Sequence, residues 1–183
     1  DLSLPLEDWP YKAIRMKMIA KSGPFFYLFY TWRLFFKLLL RKADLLYAND
    51  LDTLLPNFLI AKLKHIPLIY DSHELFCDVP ELLQSPVKRQ IWLKLESWIV
   101  PKLDYCITVN DSIAAIFEEK YHVKFNVVRN IPETINTASP KTKGQLNLPA
   151  NKKIILLQGA GINIDRGAEE LVAAMKYVED ALL

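Results

Sequence analysis

Three short apolar runs, each closed by polar side chains and followed by a helical pattern, constrain this chain most. Residues 45–48 lead into Asn49 and Asp50, residues 67–70 into Asp71, Ser72, His73 and Glu74, and residues 104–109 into Asn110 and Asp111. Helical patterns occupy 54–64 and 112–121. A third runs from Ser85, a predicted N-cap with Pro86 in the first turn, to Pro101. Residues 126–128 read as a fourth strand. Strands alternating with helices predict βαβ units, hence an α/β domain on a parallel sheet. The runs are continuously apolar rather than alternating, as strands covered by helices on both faces are. Ligands of such sheets bind beyond the carboxyl ends of the strands, so the polar clusters are the first candidates for a site.

Each cluster has two readings. Asp71, Ser72, His73 and Glu74 can hydrogen-bond sugar hydroxyls, or cap their own turn. Asn110 can face a ligand, while Asp111 or Ser112 is a natural N-cap for the next helix. Asn49 and Asp50 share that ambiguity.

Residues 132–151 break the rhythm with Pro132, Pro140, Gly144 and Pro149 and are read as an interdomain linker. That gives a first domain over residues 1–131 and the start of a second over 152–183. The second opens with a strand at 153–158, a glycine-containing turn at 159–165 and a helix at 166–178. One strand and one helix cannot bury a core, so the second domain is expected to be truncated. Gly159 and Gly161 let backbone approach a ligand, and Arg166 at the helix start adds a cation for phosphate. The pattern is neither a dinucleotide fingerprint, whose third glycine would fall at Ile164, nor a Walker loop.

Charge is uneven. Residues 9–43 carry eight cations and no acids; the remaining 15 cations face 21 acids. Within that region residues 24–42 predict a helix. Its length, about 28 Å, would cross a bilayer core, but Arg33 and Lys37 at its middle cost about 2.5–3.5 kcal/mol each. Arg33, Lys37 and Arg41 form one stripe; Phe25, Leu28, Trp32, Phe35, Phe36 and Leu39 form the other side. Such a helix packs its aromatic face on the sheet, or lies in the plane of an anionic membrane, and the two roles are compatible. A hydrophobic share of 51% fits a soluble globular protein. Cys77 and Cys106 form no Cys-x-x-Cys pair, which argues against a zinc site or disulfide framework and fits a reducing cytosol.

Five segments in order carry a family resemblance: ADLLYAND at 43–50, PLIYDSHEL at 67–75, LDYCITVNDS at 103–112, VVRNIP at 127–132 and IILLQGAGINIDRG at 154–167. Together they resemble retaining GT-B glycosyltransferases of the family 4 type, the mannosyl- and glucosyltransferases of polysaccharide and glycolipid synthesis. The resemblance implies a Rossmann-like N-terminal, acceptor-side domain lacking its first strand, plus the first βα unit of a second Rossmann-like domain. It implies transfer of a sugar, with retention, from a UDP- or GDP-sugar to a saccharide or lipid-linked acceptor. His73 matches the histidine near the donor sugar and is the catalytic candidate. Gly159, Gly161 and Arg166 match the donor-diphosphate loop, and Asp71, Glu74 and Asn110 are sugar-side candidates. No metal, cofactor or nucleic acid is implied. The cytoplasm, at the inner face of its membrane, is the expected location. The paired glutamates that such enzymes carry late in the donor domain would lie past Leu183, so this chain is expected to be inactive alone. A non-enzymatic α/β binding module and a GT-B nucleotide-sugar epimerase are the alternatives.

Overall fold

The computed structural model describes residues 10–19, 23–132, 139–159 and 167–183. The chain divides into two compact units, Asp1–Asn130 and Ile131–Leu183.

The first unit runs α1 (Gly23–Leu39), β1 (Leu46–Asn49), α2 (Leu51–Lys64), β2 (Leu68–Ser72), α3 (Pro80–Leu83), α4 (Pro86–Ile99), β3 (Tyr105–Thr108), α5 (Asp111–Tyr121) and β4 (Asn126–Val127), with short 3-10 turns at Phe76–Asp78 and Val100–Lys102. The strands form one parallel sheet in the order β1-β2-β3-β4, flanked by helices, as the alternating pattern predicts. Ala48 pairs with Tyr70, and Tyr70 with Cys106. Leu46, Ala48, Leu68, Tyr70, Ser72, Cys106 and Thr108 share one face and are all buried. The opposite face holds Tyr47, Ile69, Asp71, Tyr105 and Ile107, where Tyr47 and Tyr105 stay 50% and 56% exposed.

The core under the buried face holds an aromatic cluster among aliphatic side chains. Phe117 stacks on Phe125 at 4.3 Å between ring centres, and Tyr70 meets Phe125 edge-on. Among the described residues the Tyr70 hydroxyl is buried without a hydrogen-bond partner, and burial pushes its pKa well above the ordinary value. Glu96 on α4, 2% exposed, accepts hydrogen bonds from the Tyr121 hydroxyl at 2.7 Å and Lys120 Nζ at 3.1 Å. A carboxylate this deep requires such partners, and the pair ties α4 to α5. Burial, with Glu96 adding to it, raises the Cys77 thiol to about 12; burial does the same for Cys106.

Two helices end in the same way. His65 after α2 and His122 after α5 adopt left-handed backbone, with φ of 55° and 56°. Their N–H groups return to the carbonyls of Ala61 and Glu118, closing each last turn.

The structure corrects the reading of the aromatic helix. α1 buries no residue completely and packs on α2 rather than laying its aromatic face on the sheet. Phe35, Leu38 and Leu39 touch the core, and Lys64 Nζ holds the end of the helix by donating to Leu38 O at 2.7 Å and to Arg41 O. The physical reason is that α2 packs on β1 and β2, leaving α1 a narrow seam instead of a broad contact. Phe25, Leu28, Trp32 and Phe36 remain 52–68% exposed.

The second unit contains β5 (Lys153–Ile154), α6 (Ala168–Ala174) and β6 (Ala181–Leu182), with 3-10 turns at Gly144–Leu146 and Met175–Tyr177. β5 and β6 pair in parallel over two residues. β5 is shorter than the predicted 153–158 because its one described neighbour, β6, reaches no further. The predicted helix over 166–178 is likewise cut to α6 and the turn after it.

Candidate functional site

Polar side chains gather at the carboxyl ends of β1 and β2. β1 ends at Asn49, and the next residue turns the chain abruptly into α2. That residue, Asp50, has φ 60° and ψ 170°, a conformation nearly confined to glycine that costs an L-residue about 1–3 kcal/mol. The turn is held from several sides. The Asp50 N–H donates to Asp71 O at 2.8 Å, extending the β1–β2 ladder. The Asp50 carboxylate accepts the His73 N–H at 3.0 Å. Thr53 Oγ1 donates to Asn49 O at 2.8 Å.

Asp71 is the hub on β2. Its side chain is 11% exposed and that of His73 46%. One carboxylate oxygen of Asp71 accepts the Tyr47 hydroxyl and lies 2.9 Å from His73 Nε2. The arrangement follows from the pleat: Tyr47 and Asp71 project on the same sheet face from neighbouring strands. Burial first, then the hydrogen bond to Asp71, raises the Tyr47 hydroxyl to about 12, so it stays protonated and donates. Behind this array, Ser72 Oγ donates to Glu74 O at 2.9 Å, and Thr108 Oγ1 donates to Ser72 O at 2.6 Å. The loop carrying His73 is thus fixed through main chain and side chain together, while its imidazole is left half open. A ring so held can bind and orient a sugar hydroxyl.

The other sequence candidates fare differently. Asn110 takes a structural role: its Oδ1 accepts the Ile113 N–H at 2.9 Å, making it the N-cap of α5 in place of Asp111 or Ser112. Asp111 instead pairs with Arg129 at 3.0 Å on the open surface, where such pairs contribute little. Glu74 is half-buried beside His73. Gly159 is exposed; Gly161 and Arg166 lie outside the described residues. Arg33 and Arg41 are exposed, and Lys37 is half-buried. In the sequence Tyr47 reads as one more apolar strand residue; its sole signal is a parity matching Asp71 across the pair.

The model of Glycosyltransferase Family 4 matches residues 4–139, spanning all four strands of the first unit and the polar array. The chain belongs to glycosyltransferase family 4. No curated protein matches it. Membership assigns a glycosyltransferase-type function and, in general terms, a sugar donor and an acceptor as substrates. Within this family 4 chain the polar array sits where α/β sheets bind ligands. A concavity of about 340 Å³ opens at the other end of the sheet among Phe58, Lys62, His65, Lys102, Asp104 and Tyr105. It lies at the amino ends of β2 and β3, away from the His73 array. Among the described residues no group of three or more His, Cys, Asp or Glu is placed to hold a metal ion, and no helix is long and apolar enough to cross a membrane.

Proposed function

We propose that this chain is the acceptor-side part of a retaining hexosyltransferase that moves a sugar from a nucleotide-diphosphate donor to a saccharide or lipid-linked acceptor. The observation that carries the reading is the Tyr47–Asp71–His73 array at the strand ends of a family 4 chain. His73 orients the donor sugar, and Asp71 holds its ring. Glu74 adds a second carboxylate near the sugar. Asn110 is left out, because its oxygen is committed to α5. The turn bearing Gly159, Gly161 and Arg166 takes the donor diphosphate, on the strength of the family resemblance alone. Backbone N–H groups and a guanidinium neutralise a leaving diphosphate without needing a metal.

The exposed stripe of α1 supports a location. Phe25 is 68% exposed, Trp32 and Phe36 each 53%, and Arg33 and Arg41 flank them. Aromatic side chains at headgroup depth with cations beside them suit an anionic membrane surface. We place the protein at the cytoplasmic face of a membrane, where a lipid-linked acceptor is available.

The test is transfer by the enzyme carrying its whole donor domain, with UDP- and GDP-sugars, with and without acceptor. His73→Ala is expected to lower kcat about 100-fold. Absence of nucleotide binding would overturn the transferase reading, and sugar epimerisation without acceptor would favour an epimerase. Unchanged transfer by His73→Ala would remove its role.

A further inference from the structure

Asp50 holds a costly backbone conformation at the junction of β1 and α2, where glycine would fit without strain. As the N-cap residue of α2 it is chemically suited to accept a hydrogen bond from the first helical turn. It makes no such bond. Its Oδ1 accepts the His73 N–H instead, 23 residues away in sequence, at 3.0 Å. Its own N–H donates to Asp71 O at 2.8 Å, so both residues of the Asp71–His73 pair are gripped by one side chain and its backbone.

We infer that Asp50 is a positioning residue: its carboxylate, withheld from α2, clamps the main chain at His73 and sets the imidazole against the bound sugar. The inference rests on the role proposed for His73 and extends it to a residue that touches no substrate. Asp71 fixes the ring at Nε2, and Asp50 fixes the backbone from which that ring projects. With either hold alone, the ring can still swing or shift about the other. Strained conformations persist where surrounding contacts over-determine them, and such positions cluster at functional sites.

Three substitutions separate the clamp from the strain. Asp50→Gly removes both the acceptor and the strain. Asp50→Ala removes the acceptor alone. Asp50→Asn keeps an acceptor oxygen and leaves the backbone strain as it is. In the enzyme with its donor domain, Asp50→Gly is expected to fold at least as stably as the unaltered protein, yet lose about tenfold in kcat with KM changed less than about twofold. Asp50→Ala is expected to lose as much kcat and some stability, and Asp50→Asn to restore most of the rate. In a His73→Ala background, Asp50→Gly should cost nothing further, because the two act through one ring. Hydrogen exchange at the His73 amide supplies a second readout independent of activity, expected to quicken about tenfold or more in the Gly and Ala variants. Full activity with Asp50→Gly, or an additive loss in the double variant, would overturn the inference, as would unchanged exchange at His73. No transfer by the unaltered enzyme would count against the transferase reading; exchange at His73 then decides the clamp by itself.

Discussion

Asp52 shows how closely charge is managed beside the site. It lies in the first turn of α2, where a carboxylate normally gains from unpaired N–H groups. Burial, and then the neighbouring Asp50 carboxylate, outweigh that gain and raise its pKa above the ordinary value. A raised carboxylate pKa favours the protonated form in the folded state, so its stabilising share is present at low pH and is lost as pH rises through the folded value. Asp52→Asn is therefore expected to raise Tm at neutral pH. The gain should shrink as pH falls below the usual carboxylate range, and a pH series of melting curves checks this. An equal gain at every pH would point to another cause. Asp50 and Asp52, two residues apart, thus do different work: one accepts a hydrogen bond from the His73 loop, the other sits half-buried with its charge disfavoured.

At the scale of elements, α2 and α5 are stopped by the same device. Each ends in a histidine at positive φ, His65 and His122, whose N–H closes the last turn. Glycine takes up this conformation without the steric cost that Cβ imposes. His65→Gly and His122→Gly are each expected to stabilise the fold by about 0.5–1 kcal/mol, readable as a shift in denaturant midpoint at constant m-value. A loss at either position would show that its imidazole makes a contribution larger than the relief of strain. The link between α4 and α5 works differently. The buried Glu96 accepts hydrogen bonds from Tyr121 and Lys120, so it joins two helices through polar contacts.

For the molecule as a whole, the asymmetry of charge and the exposure of α1 belong together. The helix is tied down along one seam by Phe35, Leu38 and Leu39 and at its end by Lys64. Tyr27 also meets Trp92 of α4 edge-on, while Phe25, Leu28, Trp32 and Phe36 face outward, next to cations. Co-sedimentation with anionic vesicles is expected to fall about tenfold or more on reversing Arg33, Lys37 and Arg41 to Glu, and to weaken as salt rises. Neutral vesicles should bind weakly throughout. Equal binding after charge reversal would remove the membrane from the proposal. Reversing Arg33 and Arg41 alone should keep the melting temperature within a few degrees, since both are exposed.

The sequence by itself determined the class of fold and the end of the sheet where polar residues collect. Apolar runs of strand length alternating with helical patterns admit little besides a parallel sheet, because each strand needs a helix to return the chain to the same edge. It also marked His73 and Asp71, since a polar tetrad directly after a buried strand stands out against its surroundings. Local pattern could not assign the other roles. Asn110 and Asp50 look alike on the page, each a polar residue between a strand and a helix, yet Asn110 caps its own helix and Asp50 reaches across to His73. That choice depends on φ and ψ at one residue and on the distance to a loop on the next strand. Tyr47 joined the array because parallel pairing put it on the face of Asp71, a consequence of register. The exposed stripe of α1 was decided by α2 packing against β1 and β2 and meeting α1 on its other side. In each case a contact between segments far apart in the chain settled what the local pattern left open, because hydrogen bonds and burial act through space.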